Sequence, residues 1–291
     1  MRKELWQDTV DLINPAFPIN IFHTAFQTND FLSLHWHEHF ELIRVERGTA
    51  IIQVGGKQWQ GVPGDIFFVN SGELHAVYEP QDDFLMYAIV FHPSLTALQS
   101  SGPASIDFAS PYTAGVKKII SWLRTDNEHY EMINSMIQLL IKEFKSQGEN
   151  YEHAVRSILR TLLIWFARWF TEDTADSQLL QFRQKSERFK ALLDYIDKHY
   201  MEHITIEQAA SIVHLSPFHF CKIFKQLTGL TFIQFVNLQR IQEAERLLQN
   251  EDLTISEIAE KVGCGSLQSF SKLYKQFRGE SPSKYRKAPS K

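Results

Sequence analysis

One segment of this chain occurs twice. Phe220-Cys221-Lys222-Ile223-Phe224-Lys225-Gln226, with Gly229 shortly after, returns as Phe270-Ser271-Lys272-Leu273-Tyr274-Lys275-Gln276, with Gly279 shortly after. The same opening precedes each copy: Thr205-Ile206 with Ala210, then Thr254-Ile255 with Ala259. Thr205 with Gln208 and Thr254 with Glu257 have the spacing of a capping box, in which the hydroxyl accepts a backbone N–H and the amide or carboxylate reaches back. Ser216-Pro217 then restarts a helix, with Ser as N-cap and Pro at the first helical position, and Ser266 holds the matching place. Gly229 and Gly279 suit left-handed caps at the two ends. The pattern predicts helix, tight turn, helix, twice, joined by a long helix from Phe232 to about Gln249.

In each restarted helix one face is apolar: Phe220, Ile223, Phe224 and Leu227, then Phe270, Leu273, Tyr274 and Phe277. The opposite faces carry Phe218, His219, Cys221, Lys222 and Lys225, then Leu267, Gln268, Ser271, Lys272 and Lys275. Such side chains on an exposed helix can reach phosphates and base edges in a major groove, or form a plain solvated face. The joining helix spans roughly 25 Å at 1.5 Å per residue. With the packing width added, the two faces would lie about one DNA turn apart, near 34 Å.

Charge divides the same way. Residues 1–182 carry 13 Lys and Arg against 22 Asp and Glu; residues 183–291 carry 17 against 12, a surplus of +5 beside the repeats. The two cysteines, Cys221 and Cys264, form neither a disulfide framework nor a CxxC metal motif. No apolar signal core opens the chain, and the stretch Ile158 to Phe170, interrupted by Arg160 and Arg168, is too short to span a bilayer, so a cytoplasmic location with no membrane partner is expected.

Residues 20–92 read as short strands punctuated by turns, with Gly55-Gly56 as a tight hairpin, and suggest a small barrel or jelly roll. A loop is expected over 93–112. Helical periodicity is expected from Gly115, with Val116, Ile119, Ile120 and Leu123 on one face, then over Glu128–Phe144 and Glu152–Phe170. The broad apolar stripe of the last stretch needs the barrel, a sister helix or another subunit as partner. Residues 171–182 read as an aperiodic linker. The expected organisation is therefore a β-barrel over 1–112, a helical support or dimerisation region over 113–170, a linker over 171–185 and an all-α domain over 186–291.

Residues 186–287 resemble the DNA-binding domain of AraC/XylS-type transcription regulators. The resemblance rests on Ala209-Ala210, Leu215-Ser216-Pro217, Phe220, Lys222, Phe224-Lys225 and Thr228-Gly229, on Arg240, Ala244 and Leu247-Leu248, and on Ile255, Ile258-Ala259, Val262-Gly263, Phe270, Tyr274-Lys275, Gly279, Ser281-Pro282 and Tyr285-Arg286. It implies base contacts from Phe218, Cys221 and Lys222, then Leu267, Gln268, Ser271 and Lys272. The chain departs from the family at Cys264, where Phe is usual, and at Lys222 and Lys272, where Arg is common.

His35-Trp36-His37-Glu38-His39-Phe40-Glu41 is the other dense signal. On an unbulged strand, His35, His37, His39 and Glu41 point to one side. Residues 20–92 resemble the cupin-type sensor domain of such regulators, and by that resemblance His35, His37, Glu41 and His75 are candidate ligands of a divalent metal. The favoured reading is a pocket for a small molecule, walled by Trp36, Trp59, Phe68, Tyr78 and Tyr87, ahead of a bound metal. The resemblance implies a homodimeric, ligand-responsive regulator of sugar or related metabolite genes. It would need no cofactor, bind promoter DNA and a sugar-like effector, and, as an activator, meet RNA polymerase. The alternative is a metal-dependent cupin enzyme, an isomerase or dioxygenase, with a helical appendage.

Overall fold

The structure is a computed structural model. It describes residues 14, 16–27, 31–96, 109–113, 117–173, 177–228, 230–248 and 253–287, with the backbone alone at 173 and 177–186. The chain divides between Gln184 and Lys185 into two compact units.

The first unit is a bent antiparallel sheet carrying a helical hairpin. Its strands are β1 (Ile19–Ala25), β2 (Leu32–His35), β3 (Phe40–Val54), β4 (Lys57–Gly61), β5 (Ile66–Val69), β6 (His75–Phe91) and β8 (Trp122–Leu123). They run in the order β1-β6-β3-β5-β8, with β2 added on β6 and β4 on β3. Val54 pairs with Lys57 across the Gly55-Gly56 hairpin, as the sequence predicts. β3 and β6 shift register between Val45 and Ile51, so each strand bends and serves both ends of the sheet. Gly48 sits in that bend at φ +67°, where a Cβ would lie 2.4 Å from the Gln81 carbonyl oxygen.

Alternation along the strands gives the sheet two faces. The inner face packs Ile43, Val45, Ile52, Val54, Phe67, Val69, Val77, Met86 and Ala88. The outer face, with Leu42, Phe68, Tyr87, Ile89 and Phe91, is covered by α2 (Tyr130–Ser146) and α3 (Tyr151–Trp169). The apolar stripe of α3 thus finds its partners in the sheet and in its sister helix.

Three expectations change. The residues around Ile119 and Leu123 are not helical: β7 (Lys117–Ile119) pairs with β9 (Thr171–Asp173), and β8 extends the main sheet. A short run of β-branched residues fits either period, and partners decided it, with Asn70 Oδ1 accepting from Ile119 N and Asn70 Nδ2 donating to Ile119 O. Val116 lies outside the described residues. The 93–112 loop contains a 3-10 turn at Pro93–Thr96 and the short α1 (Ser110–Thr113); residues 97–108 lie outside the description. The segment expected as an aperiodic linker holds β9 and, from Ser177, helix α4 (Ser177–His199).

The second unit is all-α: the later part of α4, then α5 (Ile206–Ile212), α6 (Pro217–Thr228), α7 (Phe232–Leu248), α8 (Ile255–Lys261), α9 (Leu267–Arg278) and α10 (Pro282–Lys287). Phe220, Phe224, Phe232 and Phe235 meet edge to face around the first repeat, and Phe270 and Tyr274 do so in the second. No helix among the described residues is long and apolar enough to cross a membrane.

Candidate functional site: two reading helices and a buried histidine cluster

Both capping boxes form. Gln208 N donates to Thr205 Oγ1 at 3.2 Å while Thr205 N donates to Gln208 Oε1 at 2.8 Å. Glu257 N and Thr254 N make the same exchange at 3.2 and 2.7 Å. Ser216 and Ser266 cap α6 and α9 through His219 N and Ser269 N. Gly279 takes the left-handed cap at φ +75°, while Gly229 lies outside the described residues. Thr231 and Gln234 form a third capping box, on α7, which the sequence reading missed although its T-x-x-Q spacing was legible.

The two turns are not identical. Thr205 to Thr254, and His214 to Gly263, are 49 residues apart; Ser216 to Ser266 are 50. The extra residue is Gly265, in the left-handed region at φ +66°. His214 and Gly263 hold equivalent left-handed positions, at φ +55° and +75°. Aligned by their caps, α6 and α9 match Pro217 with Leu267 and Phe218 with Gln268. The first helix therefore presents an aromatic ring where the second presents an amide.

Every sequence-predicted reading residue lies on the outer face of its helix. Phe218 is 80% exposed and Leu267 45%. His219, Cys221, Lys222, Lys225, Gln268, Lys272 and Lys275 are exposed, and Ser271 is half-buried. Lys118, Lys190 and Lys284 pair with carboxylates. Among the described residues Lys222, Lys225, Lys272 and Lys275 have no such partner, which leaves four cations on the two outer faces. Unneutralised cations on an exposed helix are what a phosphate backbone attracts.

In the first unit the strand expected through His35–Glu41 is broken. β2 ends at His35, the chain bends at Glu38-His39, and β3 starts at Phe40. Ser71 Oγ and Gly72 N hold the bend by donating to the carbonyls of Glu38 and His37. His39 consequently leaves the set. His35, His37, Glu41 and His75 converge: each offers one ligand atom, all within 4.8 Å of one another and all buried. His35 faces His75 across the β2–β6 pair, and Glu41 lies between Val69 and Val90 on β3.

The rings are oriented by backbone. Nδ1 of His35, His37 and His75 lies 2.8, 3.1 and 2.8 Å from the carbonyl oxygens of Ser33, His39 and Glu73. A carbonyl only accepts, so each Nδ1 carries its proton and each Nε2 is turned to the cluster. Nε2 of His37 and His75 lies 3.0 and 2.9 Å from Glu41 Oε2. Each Nε2 meets that oxygen favourably either as an imidazolium N–H donor or as a lone pair with a cation held between them. Burial opposes charge on Glu41, but the charge of nearby His75 and the hydrogen bond from His37 hold its carboxyl well below the usual range. Burial also opposes charge on His75, and Glu41 outweighs it and raises that imidazole. His35 is driven down by burial and by His75 and His37.

The aromatic candidates are not gathered around this cluster. Tyr87 points to the outer face, stacked 4.1 Å from His23, its hydroxyl accepting from Lys145 Nζ at 2.7 Å. Phe68 packs 5.1 Å from Phe166 on that same face. Tyr78 pairs with Ile51 on β3, next to the Val77–Ile52 pair, and its hydroxyl is buried. Trp59 faces inward but packs on Phe67 and Trp122. Trp36, half-buried, lies between two of the histidines in the chain. The physical reason is the pleat: neighbours in sequence go to opposite faces.

A bent barrel-like sheet with a helical hairpin, joined to two helix-turn-helix heads with cationic outer faces, defines a DNA-binding protein with a sensor unit. Comparison with known proteins agrees. The AraC-like ligand binding domain matches residues 19–166 and a helix-turn-helix domain matches residues 209–288. This chain belongs to the AraC family of sequence-specific transcription regulators. An uncharacterized HTH-type transcriptional regulator, YdeC of Bacillus subtilis, is 24% identical over 94% of this chain and 93% of its own length. The HTH-type transcriptional activator RhaS of an Enterobacter species is 25% identical over 87% and 86%. ToxT of Vibrio cholerae, a solved structure, is 13% identical over 92% of this chain and 97% of its own, with a TM-score of 0.44.

Proposed function

We propose that this regulator responds to a divalent metal ion held in its first unit by His35, His37, Glu41 and His75. The observation that carries the reading is the shared orientation of the three rings, whose Nε2 atoms turn toward one buried carboxylate. Three imidazoles and a carboxylate suit zinc, iron, manganese or nickel. With the rings neutral at Nε2, the ion would supply the positive charge facing Glu41. The chain's own part is to hold the rings through the Ser33, His39 and Glu73 carbonyls and to exclude water by burial. Ile43, Val45, Val54, Val69 and Val77 give the same face a largely apolar lining, which favours an ion over a carbohydrate effector.

The reading extends to an activator, supported by the name borne by the RhaS relative, and with it to a cytoplasmic protein that meets RNA polymerase at its promoter. It also extends to a homodimer through the helical hairpin, supported by Met132 and Leu139, which stand exposed two turns apart on α2. The test is a thermal-shift screen of full-length, chelator-stripped protein with zinc, cobalt, nickel and manganese salts and with simple sugars. An ion at 100 times its Kd stabilises by about 2.7 kcal/mol. A shift with a metal that disappears in Glu41→Gln supports the reading; a shift with a sugar and none with a metal overturns it.

A further inference from the structure

We propose that Arg240, on the helix joining the two heads, is a positioning residue that sets their separation and so makes DNA recognition two-sited. Arg240 touches neither reading face. Its Nε donates to the Tyr200 carbonyl at 2.8 Å and its Nη2 to the Glu202 carbonyl at 2.9 Å. These carbonyls belong to the segment where α4 ends, and helix-end carbonyls have no intrahelical partner. A cation there also complements the negative end of the helix dipole. One guanidinium therefore binds α7 to the segment that opens the first head.

The same segment abuts the second head. Gly263, in its turn, lies so close that a Cβ there would meet the Met201 carbonyl oxygen at 2.2 Å. α4 also reaches the first head, with Phe189 6.3 Å from Phe224 of the first reading helix. Asp197 accepts from Gln239 of α7 at 3.3 Å. At the other end of α7, Glu245 takes a paired contact from Arg278, the last residue of the second reading helix, at 2.5 and 2.7 Å. Residues 200–202 thus form a spacer pressed between the joining helix and the second head, and Arg240 is the bond that keeps it there. Two sites joined rigidly bind as one, whereas a loosened link loses that gain and its selectivity for spacing.

The experiment uses the full-length protein and a duplex selected by it from a random pool. Affinities are measured for that duplex, for one with a base pair inserted between the two contacted segments, and for one with the second segment scrambled. Arg240→Gln is expected to weaken the selected duplex at least about tenfold and the scrambled duplex less than twofold, with the spacing ratio falling toward one. Arg240→Lys, which keeps the charge but not the fork, is expected to fall between, and it carries the test if Arg240→Gln does not fold. Equal losses on the selected and scrambled duplexes, or a spacing ratio equal to the parent's, overturn the proposal.

Discussion

Gly263→Ala tests the packing of the second head directly. Gly263 lies at φ +75°, where an L-residue costs roughly 1–2 kcal/mol relative to glycine. A Cβ there would also stand 2.2 Å from Met201 O, a backbone atom. That carbonyl cannot swing away, because Arg240 holds the carbonyls on either side of it. Forcing a methyl into a packed site adds about 1–3 kcal/mol. The expected loss is therefore about 3 kcal/mol. Gly265→Ala and Gly279→Ala are the controls. Both glycines have similar φ, +66° and +75°, but no atom lies within 4 Å of their added Cβ, so each should lose only the roughly 1–2 kcal/mol of backbone strain. The assay is thermal unfolding of the full chain followed by far-UV circular dichroism and by tryptophan fluorescence. Five of the six tryptophans, Trp36, Trp59, Trp122, Trp165 and Trp169, belong to the first unit, so with Trp6 replaced by Phe in parent and variants alike, fluorescence reports that unit and serves as an internal reference. Gly263→Ala should lower the helical transition by on the order of 12 °C. If all three variants melt together, the contact with Met201 carries no energy and the reasoning is wrong.

Two further outcomes are expected. Lys222→Ala and Lys272→Ala should each weaken binding to a selected duplex and reduce the slope of log affinity against log salt by about one, measured by fluorescence anisotropy; an unchanged slope in both would remove these lysines from the phosphate contacts. Cys221 is exposed on the first reading helix, whereas Cys264 is partly buried and its thiol is pushed up by that burial, so a maleimide should label Cys221 first and selected DNA should slow that labelling. Labelling that ignores DNA would count against α6 as a reading helix.

The duplicated heads were legible because their signals are local. A Thr three residues before Gln or Glu, a Ser before Pro and an apolar face repeating at helical period act within a turn or two of chain. The pairing of β7 with β9 was not legible, because Ile119 and Thr171 lie far apart in sequence and a short apolar run has no period of its own. Tyr87 is the right residue type for an aromatic wall, but its place in the pleat turns it to the face that carries His23 and Lys145. The inserted Gly265 was present in the sequence yet invisible while the repeat was taken as a single spacing.

What the sequence alone determined is the identity of the parts: two helix-turn-helix units, a β-rich first half, and a histidine-rich stretch from His35 to Glu41, from which the family resemblance picked His35, His37 and Glu41 with His75. Only the tertiary structure decided that the chain bends after His35 so that His39 drops out, that three carbonyls turn each Nε2 toward Glu41, and that Arg240 and Gly263 hold the segment after α4 between the heads. The physical reason is range. Caps and periodicity are satisfied by neighbours along the chain, whereas ring orientation and head spacing depend on backbone atoms brought close by folding.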